Sequence, residues 1–231
     1  MQTSKGVMYY VNDEYYIPMA IHSIKSLNNV SQLPISVYTS FVKDLSNKDN
    51  NLKNVDIIKI PKEPIKISQD AKTKFNSAAW RGKLKAYFKL PYDTTLFLDA
   101  DTEILRDPTE IMTQDFDIAF CRETNFEEDR KTMFYPIFNT GVVVINKNDK
   151  TLALFKEALR LYDECVSNLD ASCVYGCNDQ KQLNQAYLNN PNIVLKFLSN
   201  DWNVREATFN LIKNHKIVHI QNIAPRGFSA R

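Results

Sequence analysis

Strands alternating with helices along the chain predict an α/β fold with a mostly parallel central sheet flanked by helices. Three observations carry this. Short apolar runs of four to six residues recur between turn-forming Asn, Asp and Pro residues. Segments with helical periodicity separate them. One apolar run ends directly in two carboxylates, and ligands of such sheets sit at the carboxyl ends of the strands.

Taken in order, Val7 to Val11 reads as a buried strand. Ile17, Ala20, Ile21, Ile24 and Leu27 then share one face of a helix. Ile35 to Thr39 and Val55 to Ile60 are the next strands, with a polar helix and loop from Lys43 to Asn54 between them. The lysine-rich stretch from Lys62 to Lys74 is the expected lid loop. Asn76 to Leu90 reads as a helix stopped by Pro91, and Thr95 to Leu98 as a strand running into Asp99. Asp117 to Phe120 and Gly141 to Ile145 are further strands. Thr151 to Val166 is an amphipathic helix with Leu152, Phe155, Leu159 and Tyr162 on its apolar face. A helix from Asp179 to Leu188 and strands at Ile193 to Leu198 and Ile217 to Ile220 complete the pattern. No repeat or linker divides the 231 residues, so a single domain over 1–231 is expected, or one module of a longer protein.

Composition narrows the function. A net charge of +2 gives no global electrostatic basis for binding nucleic acid, so none is expected. No apolar run approaches the ~20 residues that span a bilayer, and no signal peptide is legible in the first residues. A soluble, cytoplasmic chain is therefore expected, with Cys121, Cys165, Cys173 and Cys177 as reduced thiols. Oligomeric state is open.

Four motifs can carry chemistry. In Leu98-Asp99-Ala100-Asp101-Thr102 the carboxylates are two residues apart, which in extended backbone turns them to one side. Such a pair suits Mn²⁺ or Mg²⁺ bridging substrate phosphates; the alternative is a capping Asp99 and a solvated Asp101. Phe138-Asn139-Thr140-Gly141 reads as a polar loop whose glycine lets backbone approach a ligand, or as a plain turn. Asp179 before Lys181 to Leu188 reads as a helix N-cap, with a hydrogen bond to a sugar hydroxyl as the functional alternative. His219, in an apolar strand, is either a core histidine or a third metal ligand. Lys83 and Lys85 read as a solvated helix face unless one reaches the end of the Asp-x-Asp strand.

In this order the motifs resemble the glycosyltransferases of the GT-A fold, and within them glycosyltransferase family 8, the glycogenin-like enzymes. The resemblance rests on Asn12-Asp13-Glu14-Tyr15, Lys83-Leu84 sixteen residues before Asp99, Phe97-Leu98-Asp99-Ala100-Asp101-Thr102, Phe138 to Val142, Asp179-Gln180 with Leu183-Asn184, and Val218-His219. It implies a single GT-A, Rossmann-like domain. It implies a metal, Mn²⁺ or Mg²⁺, on Asp99, Asp101 and His219. A nucleotide-sugar donor, with uridine the expected base, would lie against Tyr10, Val11, Asn12, Tyr15, Lys83, Ala100, Asn139, Thr140, Gly141, Asp179 and Gln180, with Tyr15 stacking on the base. Asp179, Gln180 and Lys83 are the residues it implies in catalysis. The reaction implied is transfer to a hydroxyl of a glycan, glycolipid or glycoprotein, with retention; an inverting enzyme would need a base such as Asp179 or Glu123. After the histidine the family carries a glycine and then a lysine for the leaving phosphate; here no glycine follows, and Arg226 is the replacement to consider. The competing readings are a haloacid-dehalogenase-type phosphatase with Asp99 as nucleophile and a non-catalytic nucleotide-sugar-binding module.

Overall fold

The computed structural model describes residues 3–43, 45, 52–62, 77–123, 138–167, 177–205 and 209–220. Strand β1 (Lys5–Val11) leads through a short 3-10 turn into helix α1 (Ile17–Val30), whose Pro18 sits in the first turn, where a missing N–H costs nothing. Strands β2 (Ile35–Thr39) and β3 (Val55–Lys59) follow, then helix α2 (Ser77–Ala86) and strand β4 (Thr94–Leu98). The chain continues through β5 (Thr102–Ile104), β6 (Ile118–Arg122), β7 (Phe138–Asn146), α3 (Asp149–Ser167), α4 (Asp179–Asn189), β8 (Leu195–Leu198) and β9 (Ile217–His219).

Seven strands form one sheet in the order β3-β2-β1-β4-β7-β6-β8, while β5 and β9 make a separate antiparallel pair. Only β7 runs against the other six, since β1, β2, β3 and β4 pair in parallel, β7 is antiparallel to β4 and β6, and β8 is parallel to β6. The expected mixed α/β architecture with a mostly parallel sheet is what is found.

Helices cover both faces, so β2, β4 and β7 are buried along their whole length. Alternation along β1 sends Val7, Tyr9 and Val11 to the face covered by Ile17, Ile24 and Leu27 of α1. Met8 and, from β4, Phe97 face α2, α3 and α4 through Leu84, Phe155 and Leu183. Tyr87 joins these layers, its ring 4.7 Å from Phe97 and stacked at 4.4 Å on Phe155. Removing the Phe155 ring would leave a void at the centre of that layer, costing about 3–5 kcal/mol.

Several local expectations are corrected. Phe138-Asn139-Thr140-Gly141 is not a loop but the start of β7. The register with β6 jumps from Phe120 opposite Val143 to Cys121 opposite Asn139, so Thr140, Gly141 and Val142 bulge past β6. On α3 the buried stripe is Thr151, Leu154, Phe155, Ala158 and Tyr162, and Leu152, outside that stripe, is exposed. Cys165 and Cys177, expected as thiols, form a disulfide with Cα atoms 5.8 Å apart, closing the chain between the end of α3 and the start of α4. Cys121 is a buried free thiol. Cys173, most of the Lys62 to Lys74 stretch, and Arg226 lie outside the described residues. No helix among the described residues is long and apolar enough to cross a membrane.

Candidate active site

The carboxyl ends of β1 and β4, the bulged start of β7 and the N-terminus of α4 surround a cleft of about 580 Å³. Four backbone devices build its floor. Asp99 N–H donates to the Gly141 carbonyl at 2.9 Å, extending the β4–β7 ladder one residue past the strand. The Thr102 hydroxyl donates back to the Asp99 carbonyl at 2.9 Å, closing a tight turn that carries Asp99 and Asp101. Pairing of β5 with β9 puts His219 opposite Thr102, and Ile220 N–H donates to the Asp101 carbonyl at 2.8 Å. His219 N–H in turn donates to the Val204 carbonyl at 2.9 Å.

Ligand atoms of Asp99, Asp101 and His219 consequently all lie within 4.8 Å of one another, with His219 Nδ1 3.5 Å from Asp101 Oδ1. His219 is 6% exposed, and its Nε2 is buried without a hydrogen-bond partner among the described residues. A Cβ on Gly141 would come within 2.5 Å of both Cε1 and Nε2 of that ring. The glycine that sequence reading assigned to the approach of a ligand makes room for the histidine.

Lys83, from α2, is buried, and its ammonium is fully engaged. It donates to Asp99 Oδ1 at 2.7 Å and to the Thr140 carbonyl at 3.0 Å, and lies 2.9 Å from Asp179 Oδ2. Burial works against this ammonium, but the carboxylates of Asp179 and Asp99 outweigh it and hold the pKa well above the ordinary lysine value. Burial, reinforced by the neighbouring Asp101, pushes the Asp99 carboxyl above its usual range despite Lys83. Asp101 goes the other way: burial is outweighed by the hydrogen bond and charge of His219. Asp99, Asp101 and His219 could hold a divalent cation, whose charge would offset this pair of close carboxylates.

Asp179 is not the N-cap that its position suggested. Asn178 caps α4, its side-chain oxygen accepting from Lys181 N–H at 2.8 Å. That frees Asp179, only 5% exposed, to take Lys83 and the Thr140 hydroxyl, the latter at 2.8 Å.

Of the residues singled out in the sequence, Tyr10, Val11, Asn12, Lys83, Asp99, Ala100, Asp101, Asn139, Thr140, Asp179, Gln180 and His219 line the cleft together. Gly141 lies behind His219. Tyr15 does not line the cleft; it is 62% exposed, and its neighbour Tyr16 lines the cleft instead. Asp13 starts the 3-10 turn with its side chain on Tyr15 N–H, and the direction of that turn decides which tyrosine faces inward. Two adjacent tyrosines in the sequence carry no signal that separates them. Trp80 and Arg205 also line the cleft and were not foreseen. Trp80 lies three residues before Lys83, so the helical period alone could have placed it on the same face. Nothing in the sequence around Arg205 marks it.

Residues 92–225 match the family model of nucleotide-diphospho-sugar transferases. No curated protein sequence matches significantly. Among solved structures, the galactosyltransferase LgtC in complex with donor and acceptor sugar analogues superposes with a TM-score of 0.66 at 14% identity, covering 97% of this chain and 92% of that one. The bifunctional glycosyltransferase WbbM gives 0.66 at 15% identity, over 96% of this chain and 46% of that one. The glycosyltransferase GlyE of Streptococcus pneumoniae TIGR4 gives 0.60 at 18% identity, over 94% and 55%. The chain thus spans nearly all of LgtC and about half of the other two. At these identities the likeness is one of fold, the GT-A fold. The match of 92–225 runs from the residues before β4 past His219, and by it the chain belongs to the nucleotide-diphospho-sugar transferase family.

Proposed function

We propose that this chain, as a single domain over 1–231, transfers a sugar from a uridine-diphosphate donor to a hydroxyl of a glycan, glycolipid or glycoprotein, with retention. On this reading Asp99, Asp101 and His219 hold a divalent cation. The observation that carries it is the convergence of these three residues beside the buried Lys83 at the carboxyl end of β4. The donor set fits the ion: two carboxylates and an imidazole suit Mn²⁺ better than Mg²⁺, and the buried, unpartnered His219 Nε2 is an atom that a ligand would satisfy. A bound cation supplies Lewis-acid neutralisation of a departing diphosphate.

The protein's own groups do the rest. Lys83 pairs with both Asp99 and Asp179 and keeps the two carboxylates compensated. Asn12, whose side-chain oxygen accepts from the Ser40 hydroxyl at 2.9 Å, keeps its amide N–H groups for the base. On this reading Tyr16, which lines the cleft, rather than Tyr15, packs on it. Thr140, Asp179 and Gln180 form the sugar wall. The phosphatase reading of Asp99 has no support in a chain of this family and fold. A non-catalytic module would bind the same donor without turning it over.

The test is thermal stability with uridine diphosphate and uridine-diphosphate sugars, each with and without Mn²⁺. A ligand at about 100 times its Kd adds about 2.7 kcal/mol, roughly 5–10 °C in a domain of this size. The shift should require Mn²⁺ and vanish in Asp101→Ala, which leaves the fold intact. An equal shift in that variant would remove Asp101 from the metal site. A shift with the donor, but no release of nucleotide over hours, would establish the binding module instead.

A further inference from the structure

In the same cleft Glu123, just past β6, meets Asn139 of β7, Gln180 of α4 and Arg205. Arg205 Nη1 donates to both carboxylate oxygens of Glu123, at 2.7 and 2.9 Å. The same carboxylate, through Oε2, accepts from Asn139 Nδ2 at 2.8 Å and from Gln180 Nε2 at 2.9 Å. Glu123 and Arg205 are both largely buried, with side chains 11% and 21% exposed.

An ionised carboxylate only accepts. Both amides must therefore turn their nitrogens toward Glu123, and their oxygens away. Asn139 then spends its whole side chain on the protein. Nδ2 serves Glu123 and Gln180 Oε1, the latter at 3.0 Å, and Oδ1 accepts from Gly141 N–H at 2.8 Å and Asn203 Nδ2 at 2.9 Å. Gln180 Oε1, besides accepting from Asn139 Nδ2, accepts from Thr140 N–H at 3.3 Å, which sets it on the Thr140 side.

We propose that Arg205 is a positioning residue of the sugar site, acting through Glu123 to fix the Gln180 amide with its carbonyl oxygen, not its NH₂, on the Thr140 side of the cleft. This inference rests on the glycosyl-transfer reading above. It makes Glu123 a structural anion rather than a general base. It also gives Asn139 the task of tying Gln180 to the strand behind His219. A fixed carbonyl dipole at the sugar wall places its negative end where a sugar ring loses electron density as its diphosphate departs, and a dipole already oriented needs no reorganisation at that moment. Arg205 can do this because removing an ion-pair partner from a largely buried carboxylate is costly, and a Glu123 that took up a proton would donate instead of accept.

The experiment is a double-mutant cycle on the full chain with Arg205→Met, Glu123→Gln and both together, plus Arg205→Lys, following donor turnover. Each single change should lower kcat about 10- to 100-fold with the donor KM within about threefold. The double should be no worse than the worse single, and Arg205→Lys should recover most of kcat. Losses that multiply in the double would show that Arg205 acts on the substrate independently, and an unchanged kcat in Arg205→Met would overturn the clamp with glycosyl transfer left standing. A second readout does not need turnover. The Asn139 and Gln180 carboxamide protons, assigned by Asn139→Asp and Gln180→Glu, should exchange slowly in the intact protein and rapidly in Arg205→Met. Fast exchange in the intact protein overturns the clamp; slow exchange without turnover of any nucleotide-sugar overturns the functional reading on which its purpose rests.

Discussion

Gly141→Ala tests the construction of the candidate metal site with a single methyl group. The backbone at Gly141 is not in the left-handed region, so alanine brings no conformational penalty of its own. The cost is contact. The new Cβ would lie 2.5 Å from His219 Cε1 and Nε2 and 3.0 Å from Asn139 Oδ1. Ordinary packing distance, ~3.5 Å or more between carbons, requires the ring to retreat by about 1 Å. His219 cannot yield easily, because β9 is tied to Val204 and Asp101 by backbone hydrogen bonds on both sides of it. Overpacking of this kind costs about 1–3 kcal/mol, or roughly 2–12 °C in melting temperature for a domain of this length. A 1 Å displacement of a ligand also costs on the order of 100-fold in function. Calorimetric titration of Mn²⁺ in the presence of uridine diphosphate, beside the melting curve, measures both effects. His219→Ala should make the same methyl group harmless to stability, so the pair should be strongly non-additive. Gly141→Ala with wild-type stability and wild-type Mn²⁺ affinity would refute the packing argument and with it the placement of His219.

Two further outcomes follow from the charges. Lys83→Met should destabilise the protein by about 3–5 kcal/mol in urea titration, because it strands Asp99 and Asp179 without a counter-charge; Asp179→Asn in the same chain should restore part of that, and a loss under 1 kcal/mol would mean water already solvates both carboxylates. Acid stability should depend on Asp117, where burial is outweighed by hydrogen bonds from Val194 N–H, Asn148 and Lys150 that hold its carboxyl below the usual range. The folded pKa is depressed, so its contribution is complete above the unfolded value of about 4 and is lost as pH falls through the folded pKa. Asp117→Asn should cost about 1–2 kcal/mol at neutral pH and show a flatter stability profile below pH ~4; an unchanged profile would reassign the acid sensitivity to other carboxylates.

What the sequence made legible follows from which forces are local. Strands β1, β2 and β4 and the later half of β7 are largely buried on both faces and so read as mainly apolar runs, and α1 shows its period because only one face meets the sheet. Asp99 and Asp101 were legible because the strand that carries them ends where they begin. Other features depend on partners remote in the chain. The β7 start looked like a loop because Asn139 and Thr140 are polar and Gly141 follows them, and nothing local says that Glu123, Lys83 and Gln180 will satisfy the two polar residues in a strand. Asp179 looked like a cap because Asn178 and Asp179 are both good caps, and only Lys83 decides between them. The Cys165–Cys177 bridge required knowing that α3 and α4 pack side by side. Strand β5, three residues long, has no periodicity to detect, yet it places His219.

The way β5 and β9 place His219 bears on how the site works. Each candidate ligand is fixed by bonds that no ion takes part in: Asp99 by Gly141 and Thr102, Asp101 by Ile220, His219 by Val204. Thr102 is itself held from below, its hydroxyl 2.8 Å from that of Ser23, which is 2.9 Å from Tyr9 in the core. Ser26 receives Ile104 N–H at 2.9 Å one turn along α1. A metal that organised its own site would add its binding energy to folding. Here the sheet and α1 do the organising, so on the proposed reading an ion and a diphosphate would leave without loosening the fold. The close carboxylates are tolerated in the interval because Lys83 stays between Asp99 and Asp179. On that reading the buried lysine would matter to turnover as much as the groups that touch the donor.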